Sequence, residues 1–183
     1  MGAINRNWQG KVFIGTSVDG FIARQNDDIA WLVSRGELAG DYGYDEFIAG
    51  IDHYLIGRGT YDLTGSFPEW PYGAKPVLVL SRTLVTDDPR ITVVRSLSEA
   101  TEYLNGRANG VYIDGGQTIQ AALRAGLVDD LIISRVPVLI GSCKPLFGTL
   151  PADIDLELIE NRDFPGGMTQ TRYRVLHSAV TAD

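Results

Sequence analysis

Val111-Tyr112-Ile113-Asp114-Gly115-Gly116-Gln117-Thr118 is the stretch that decides the fold, because an apolar run typical of a buried strand ends in two glycines and leads directly into a helical segment. Glycine has no β-carbon, so paired glycines allow the main chain to approach a ligand closely. Thr118 and the N–H groups at the start of the following helix are donors for an anion. The stretch predicts either a phosphate-binding turn or an ordinary tight turn between a strand and a helix.

Short apolar runs before and after this stretch predict the rest of the fold. Runs rich in Val, Ile, Leu or Tyr predict eight strands, at residues 11–16, 54–56, 77–80, 92–94, 111–114, 131–136, 156–161 and 169–176. Helices are predicted at residues 45–51, 60–63, 98–105 with Ser98 as the N-cap, and 118–125. Strands that alternate with helices predict a largely parallel sheet covered on both faces, with the last two strands as an antiparallel pair at one edge.

Composition limits the class of protein. A chain of 183 residues that is 44% hydrophobic predicts a single domain over residues 1–183. The net charge of -7, with acidic and basic residues interspersed, argues against nucleic acid as a partner. The polar start and the lack of an apolar run of about 18 residues predict a cytoplasmic protein that does not enter the membrane. Cys143 is the only cysteine, so no internal disulfide and no zinc site are expected.

Two other strand ends carry donors for an anion. The second predicted strand ends in Gly57-Arg58-Gly59-Thr60, and the third is followed by Ser81-Arg82-Thr83. Because ligands of open α/β sheets bind at the carboxyl ends of the strands, these segments predict a phosphorylated ligand such as a mononucleotide or dinucleotide. Each segment alone is also compatible with a polar turn. The Rossmann fingerprint is not satisfied, since Asp62 occupies its third glycine position.

The order of the motifs resembles the dihydrofolate reductase-like superfamily, most closely the reductase domain of the bifunctional riboflavin-biosynthesis deaminase/reductase. The resemblance covers nearly the whole chain. It is carried by Ser17-x-Asp19-Gly20-x-Ile22-Ala23, Gly57-Arg58-x-Thr60-Tyr61, Leu80-Ser81-Arg82-Thr83, Asp114-Gly115-Gly116, and Pro137-x-Leu139-x-Gly141 followed by Pro145-Leu146-Phe147.

This resemblance implies an NADPH-dependent reductase, often a homodimer, on an α/β three-layer αβα sandwich with an eight-stranded, mixed, mostly parallel sheet. It implies a cofactor site in which Gly15 and Thr16 border the nicotinamide, Gly57, Arg58 and Thr60 meet the phosphates, Ser81 and Arg82 bind the adenosine 2′-phosphate, and Gly115, Gly116, Gln117 and Thr118 hold the pyrophosphate. Two arginines favour NADPH over NADH, because the extra phosphate needs an added cation.

The substrate side is less defined. A folate reductase places one carboxylate in an apolar pocket, and the candidates are Asp41 and Asp45, four residues apart and able to share a helical face; Glu46 is a third. The alternative is that these acids cap a helix. Trp31 and Trp70 are candidates for an aromatic wall against a flat heterocycle, or for hydrophobic cover. Residues 65–75 contain no arginine for a glutamate carboxylate, which argues against folate.

Three functions remain open. The preferred interpretation is an NADPH-dependent oxidoreductase that transfers hydride to a planar nitrogen heterocycle of pterin or pyrimidine type. The first alternative is a 5-amino-6-(5-phosphoribosylamino)uracil reductase of riboflavin biosynthesis, with Arg24, Arg35 and Lys144 as candidate donors to the ribosyl phosphate. The second is a non-catalytic regulatory homodimer that binds NADPH without turnover.

Overall fold

Short apolar runs form the strands of the protein, and a computed structural model describes residues 5–177. The strands are β1 (Gln9–Ser17), β2 (Phe21–Ala23), β3 (His53–Gly57), β4 (Val77–Leu80), β5 (Ile91–Val94), β6 (Gly110–Asp114), β7 (Asp130–Val136), β8 (Lys144–Pro145), β9 (Leu156–Phe164) and β10 (Met168–Val175). The helices are α1 (Ala30–Ala39), α2 (Tyr44–Ala49), α3 (Arg58–Thr64), α4 (Leu97–Leu104) and α5 (Gly116–Arg124). One short 3-10 turn covers Pro165–Gly167.

The main sheet has eight strands in the order β5-β4-β3-β6-β1-β7-β10-β9. All neighbours from β5 to β7 are parallel, whereas β10 is antiparallel to both β7 and β9. The mixed, mostly parallel sheet and the antiparallel pair at one edge are therefore confirmed. All eight predicted strands are present in the part of the chain that the structure describes.

Side-chain alternation along β6 divides the core between the two faces of the sheet. Val111 and Ile113 point to the face that α4 and α5 cover, and Tyr112 points to the opposite face, where Phe47 of α2 packs. Ile113 is fully buried, and burial of such a side chain contributes about 1.5–3 kcal/mol to folding. The sheet is the middle layer of an αβα sandwich, as predicted.

The sheet opens between β1 and β6 toward the carboxyl ends of these strands. Among the described residues, β1 is paired with β6 only as far as Lys11↔Tyr112, whereas it stays paired with β7 as far as Ser17↔Val136. Tyr112 spans the gap by donating a hydrogen bond from Oη to the carbonyl oxygen of Phe13 at 2.6 Å. The connection from β6 to β7 passes over β1 at this point. Ligands of open α/β sheets bind at such switch points.

Three elements escape sequence reasoning. Helix α1 buries only Trp31 and Ala39, so its hydrophobic periodicity is weak. It also lacks a capping signal, since no side chain of the described residues forms an N-cap hydrogen bond. Strands β2 and β8, which pair with each other, are three and two residues long, too short for a period-2 pattern. Both lie beside the main sheet rather than in it.

The prediction of Ser98 as the N-cap of α4 is wrong. Ser96 is the cap, and its hydroxyl accepts a hydrogen bond from the backbone N–H of Glu99 at 3.1 Å. The Glu99 carboxylate accepts in return from the backbone N–H of Arg95 at 2.6 Å. The sequence signal was the Ser-x-x-Glu spacing, which is typical of a capping box.

No helix within residues 5–177 is long and apolar enough to cross a membrane. In the same range, no group of three or more His, Cys, Asp or Glu side chains is placed to hold a metal ion. The prediction of one domain over residues 1–183 stays a prediction, and the two ends of the chain lie outside the described residues.

Candidate active site

The glycine-containing turns that follow β3 and β6 pack against each other. A β-carbon on Gly57 would lie 2.6 Å from Oγ1 of Thr118, and a β-carbon on Gly115 would lie 2.5 Å from Oγ1 of Thr60. Gly115 also has a φ of 93°, in the left-handed region that side chains disfavour. Glycine is therefore required at both positions for the two turns to meet, whether or not a ligand is bound.

The start of α5 offers backbone donors beside this contact. Its N-cap residue is Gly115, and no side chain in the described part of the chain caps it by a hydrogen bond. Gln117 is exposed, whereas Thr118 is buried. The first N–H groups of a helix have no partner within it, and the helix dipole places partial positive charge there. This turn is suited to a phosphate group.

Arg58 lies on the other turn, at the first position of α3. Its Nε donates to both carboxylate oxygens of Asp62, at 2.8 and 2.7 Å, and both side chains are exposed. Exposed ion pairs at this helical spacing contribute only about 0.3–0.5 kcal/mol. A phosphate can therefore replace Asp62 as the partner of Arg58 at little cost.

Two arginines stand at the carboxyl ends of β4 and β5. Arg82 is exposed, and the hydroxyl of neighbouring Ser81 is held by the backbone N–H of Leu84 at 3.1 Å. Arg95 follows β5 directly and donates to the carbonyl oxygens of Ser81 and Leu84, both at 2.8 Å. Sequence reasoning missed Arg95, although it follows its strand much as Arg82 follows β4. The two strands are parallel neighbours, so both guanidinium groups belong to the carboxyl ends of the same strand pair.

Aliphatic side chains cover the wall formed by β1. A β-carbon on Gly15 would lie 2.6 Å from Cδ1 of Leu32 in α1, and one on Gly116 would lie 2.7 Å from Cδ1 of Ile22 in β2. Thr16 is buried. Both contacts are with the ends of flexible side chains, which change rotamer at modest cost. A flat ring placed on the backbone of Gly15 requires such a movement of Leu32.

Asp19 of the first motif has a structural role. Its carboxylate accepts hydrogen bonds from the backbone N–H groups of Gly141 at 2.9 Å and Ile140 at 3.2 Å. The pKa of Asp19 lies below its ordinary value because of a hydrogen bond from Ser17 and these backbone bonds. Asp19 thereby joins the β1–β2 turn to the segment after β7, and this segment reaches the start of α5 through the carbonyl oxygen of Pro145, near Gly116.

Asp114 is the acid that the structure places at the open end of the sheet. It ends β6 and shares a face with Tyr112, two residues earlier. Burial raises the pKa of Asp114, and a hydrogen bond from the backbone N–H of Gly115 offsets this only in part. In the sequence Asp114 is visible only as part of the Asp114-Gly115-Gly116 motif, because a strand pattern does not reveal how few donors surround a carboxyl group.

Tyrosines surround this carboxyl group. Burial first, and the nearby Asp114 charge in addition, raise the pKa of Tyr72, of Tyr112 and of Tyr44, the last to about 12. The Tyr54 ring packs at a tilt against the rings of Tyr72 and Tyr112, with centroid distances of 4.6 and 5.7 Å. This end of β6 therefore combines a carboxyl group with a raised pKa with aromatic rings suited to a flat heterocycle.

The acids chosen from the sequence lie elsewhere. Helix α2 begins at Tyr44, so Asp41 precedes it, and the prediction that Asp41 and Asp45 share a helical face is wrong. Asp41 accepts a hydrogen bond from the backbone N–H of Gly43 at 2.9 Å, and Asp45 is exposed in the first turn of α2. Neither is enclosed by apolar groups. Their catalytic role stays a prediction.

The two tryptophans are not brought together. Trp31 is buried against Val136 and Met168, and its indole Nε1 has no hydrogen-bond partner among the described residues. Trp70 lies at the amino ends of β4 and β5, in an open depression of about 370 Å³, and the Arg90 guanidinium stands 4.2 Å from its ring centroid. The structure does not place Trp70 at the opening between β1 and β6. A substrate role for either tryptophan stays a prediction.

The strand order, the opening at the switch point and the interlocked glycine turns define an α/β protein of the dihydrofolate reductase-like class. The chain belongs to the RibD C-terminal domain family, whose model matches residues 11–169. This membership confirms the resemblance drawn from the motifs and places the chain among reductase-like oxidoreductases.

Individual relatives agree with this assignment. The crystal structure of a Shewanella sp. PV-4 protein, whose name provisionally links it to riboflavin biosynthesis, is 35% identical, with a TM-score of 0.84 over 92% of this chain and 99% of that one. The uncharacterized protein YwjB of Bacillus subtilis is 29% identical over 167 residues, 88% of this chain and 95% of its own length. Dihydrofolate reductase type 6 of Proteus mirabilis is 28% identical over 97 residues, 52% of this chain and 55% of that enzyme.

Proposed function

We propose that the protein is an NADPH-dependent reductase that transfers hydride to a planar nitrogen heterocycle of pterin or pyrimidine type. The observation that carries the proposal is the opening between β1 and β6. Backbone donors at the start of α5 and the carboxyl group of Asp114, whose pKa is raised by desolvation, both lie at this opening. Family membership supports a reductase, and the residues at the opening support the choice of cofactor and of substrate class.

The residues at the strand ends fit a dinucleotide with an additional phosphate. The N–H groups at the start of α5, with Gln117 and Thr118, would hold the pyrophosphate beside Arg58 and Thr60. Ser81, Arg82 and Arg95 would hold the 2′-phosphate of the adenosine. Gly15 and Thr16 would border the nicotinamide. The cofactor supplies the hydride when bound, and the protein supplies position and charge.

Asp114 is the best-placed proton donor. Hydride transfer to a C=N bond leaves charge on nitrogen, which a carboxylic acid with a raised pKa can neutralise. We assign this role to Asp114 in preference to Asp41 or Asp45, because only Asp114 is desolvated beside the opening. The centroids of the Tyr44 and Phe13 rings are 5.5 Å apart. The neutral Tyr44 hydroxyl would border the substrate heterocycle.

Calorimetric titration with NADPH and NADH tests the cofactor. Binding of NADPH at micromolar concentration, and weaker binding of NADH, is expected. A panel of dihydropterins, dihydrofolate and aminopyrimidines, followed by loss of NADPH absorbance, then tests the reaction. Failure to bind either nucleotide would contradict the reductase, whereas tight binding without oxidation by any acceptor would favour the regulatory alternative.

The riboflavin-pathway reaction is a second candidate, because the family is that of the RibD C-terminal domain. Its substrate carries a ribosyl phosphate. Among the candidate donors, Arg24 is paired with Asp28 at 3.5 Å, Lys144 is paired with Asp27, and Arg35 donates to the carbonyl oxygen of Trp31 at 2.9 Å. A phosphate would have to displace these acids. If this candidate is correct, the wild type should have a higher KM for a substrate that lacks the phosphate than for the phosphorylated substrate. The Lys144→Ala variant should have similar KM values for the two substrates.

A further inference from the structure

Three residues lie side by side on the face of the sheet that α1 covers. Gly15 of β1 pairs in register with Ser134 of β7, and Ser134 pairs in register with Gln170 of β10. Helix α1 packs against all three of these strands. The two polar side chains are buried, with exposed fractions of 4% for Ser134 and 7% for Gln170. Buried polar groups need hydrogen-bond partners, so the partners of this pair decide what it can do.

The hydrogen bonds of Gln170 fix the orientation of its amide group. Its Nε2 lies 3.1 Å from the carbonyl oxygen of Tyr42 and 2.9 Å from Oγ of Ser134. A carbonyl oxygen only accepts hydrogen bonds, so the NH2 end of the amide must face Tyr42, and its second hydrogen is donated to Ser134. The Ser134 oxygen therefore accepts from Gln170, and its own hydroxyl hydrogen points elsewhere.

The hydroxyl hydrogen of Ser134 is donated to no acceptor within residues 5–177. A buried donor without an acceptor is costly, and a ligand that supplies the acceptor removes this cost. The register partner of Ser134 is Gly15, which has no side chain. The space that a β-carbon of Gly15 would occupy is covered by Leu32, whose Cδ1 would lie 2.6 Å away. A ring that displaces Leu32 from Gly15 would therefore lie beside the Ser134 hydroxyl.

Asp114 lies on the same face of the sheet as Ser134, on the other side of β1. Tyr112 and Ile132, which precede Asp114 and Ser134 by two residues, share one core cluster, and residues two apart in a strand point to the same face. Neighbouring strands are about 5 Å apart, so β6 and β7 are separated by about 10 Å, and by more where β1 and β6 part. Asp114 and Ser134 thus face opposite edges of a planar ring that lies on β1.

We infer that Ser134 is a specificity-determining residue whose hydroxyl donates a hydrogen bond to a carbonyl oxygen of the substrate heterocycle, and that Gln170 is the positioning residue that fixes the direction of this donation. The inference rests on the proposed function, since that function places the heterocycle at the opening beside β1. It narrows the substrate to a ring with an exocyclic oxygen on the edge that faces β7, opposite the edge that Asp114 protonates.

Pterin and 2,4-diaminopteridine are a matched pair of probes. They differ at one ring position, where pterin carries an oxygen that accepts hydrogen bonds and the diamino compound carries an amino group that donates them. Calorimetric titration of the full chain, saturated with NADP⁺, measures the affinity for each probe. The wild type should bind pterin about tenfold more tightly, because the amino group would set a donor against the Ser134 donor. Ser134→Ala should remove this preference and leave the affinity for NADPH unchanged.

Gln170→Glu tests the positioning role. The carboxylate would accept the hydroxyl hydrogen of Ser134, which leaves the Ser134 oxygen as an acceptor toward the ligand. The preference should therefore reverse in favour of 2,4-diaminopteridine, whereas a purely structural role of Gln170 would weaken both probes alike. Thr101→Val is the matched control, because Thr101 of α4 is also buried and its Oγ1 has no partner in the described part of the chain. This variant should keep the wild-type preference.

The outcomes separate this inference from the proposed function. If the wild type binds NADPH but binds both pteridines equally or neither of them, the inference is overturned and the cofactor site stands. A Ser134→Ala variant that keeps the preference would overturn it too, as would a loss of NADPH affinity in that variant, which would assign the hydroxyl to the cofactor. Failure of the wild type to bind NADPH would contradict the proposed function and the inference with it. Circular dichroism checks that each variant is folded.

Discussion

The two ends of the parallel strands carry aspartates whose pKa values are shifted in opposite directions. At the amino ends, Asp129 accepts hydrogen bonds from Arg6 at 2.6 and 2.7 Å and from the backbone N–H of Gly10 at 2.8 Å. Burial alone would raise its pKa, but Arg6 and His177 hold the pKa of Asp129 below the ordinary value. At the carboxyl end, burial raises the pKa of Asp114, which has only the Gly115 N–H to oppose it.

This difference shows what decides the use of a partly buried acid. Asp52, also at the amino ends, behaves like Asp129. Burial would raise the pKa of Asp52, but hydrogen bonds from His53 and Asn109 lower it. A carboxylate with many donors stays ionised and joins strands together. A carboxyl group with few donors has a raised pKa, which is the shift that a general acid needs.

Replacing Asp114 by asparagine should have the largest effect. We expect Asp114→Asn to lower kcat by about 10²–10⁴-fold, the range typical of a lost general acid. Stability at neutral pH should stay equal or rise. The folded state resists ionisation of Asp114, so ionisation above the ordinary pKa of 3.8 opposes folding, and asparagine removes that cost. Turnover of NADPH and thermal melting measure the two effects.

Asp45→Asn is the matched control, since Asp45 is exposed and should tolerate the change. The wild-type rate should fall as pH rises through the raised pKa of Asp114, and the Asp114→Asn variant should lose this dependence. Loss of activity in Asp45→Asn with retention in Asp114→Asn would return the acid role to α2. Carboxyl NMR titration reports the pKa of Asp114 without any substrate.

Gly115→Ala should have the next largest effect, because it forces a side chain into a left-handed conformation and against Thr60. The φ of 93° and the 2.5 Å approach to Oγ1 together predict a loss of about 3 kcal/mol in the free energy of unfolding. Chemical denaturation measures the loss, and NADPH affinity should fall with it. Gly59→Ala is the control, because a β-carbon there meets no described atom within 4 Å. Equal stability of the two variants would contradict the interlocked turns.

How much of this site follows from sequence depends on the kind of signal. Strand β6 and the turn after it were predictable, because an apolar run and two glycines are local features. The opening between β1 and β6 was not, because it depends on where the pairing at Lys11↔Tyr112 ends. Likewise Asp114 and Asp129 both adjoin apolar strands in the sequence, and only the folded chain brings Arg6 to one of them.

Asp129→Asn tests the amino end of the same comparison. We expect a loss of about 2 kcal/mol at neutral pH, because Arg6 would be left partly buried without its carboxylate. The stabilisation is complete above the unfolded-state pKa near 3.8 and is lost as pH falls through the lowered folded-state pKa. The difference from wild type should therefore shrink in acid.

Unfolding curves at several pH values give the measurement for Asp129→Asn. Glu157→Gln, which removes an exposed pair with Arg174, is the control and should cost less than about 1 kcal/mol. A gap between wild type and Asp129→Asn that widened in acid would mean that Asp129 is not the ionised partner of Arg6. The amino-end acids would then resemble Asp114 rather than contrast with it.

Arg82→Ala should have the smallest effect and sharpens the comparison for cations. Arg90 and Arg82 lie at opposite ends of the β4–β5 pair: Arg90 is held by Asp88 at 2.7 Å and covers Trp70, whereas no ion pair is formed by Arg82 within residues 5–177. We expect Arg82→Ala to weaken NADPH binding about tenfold, or about 1.4 kcal/mol, and to leave NADH binding unchanged, since only NADPH carries the 2′-phosphate. Arg90→Ala should change neither. Calorimetric titration of both variants with both nucleotides is the measurement. An equal loss of affinity for NADPH and NADH in Arg82→Ala would instead place Arg82 at the pyrophosphate that the two nucleotides share. The 2′-phosphate would then depend on Arg95, whose guanidinium is already held in place by the carbonyl oxygens of Ser81 and Leu84.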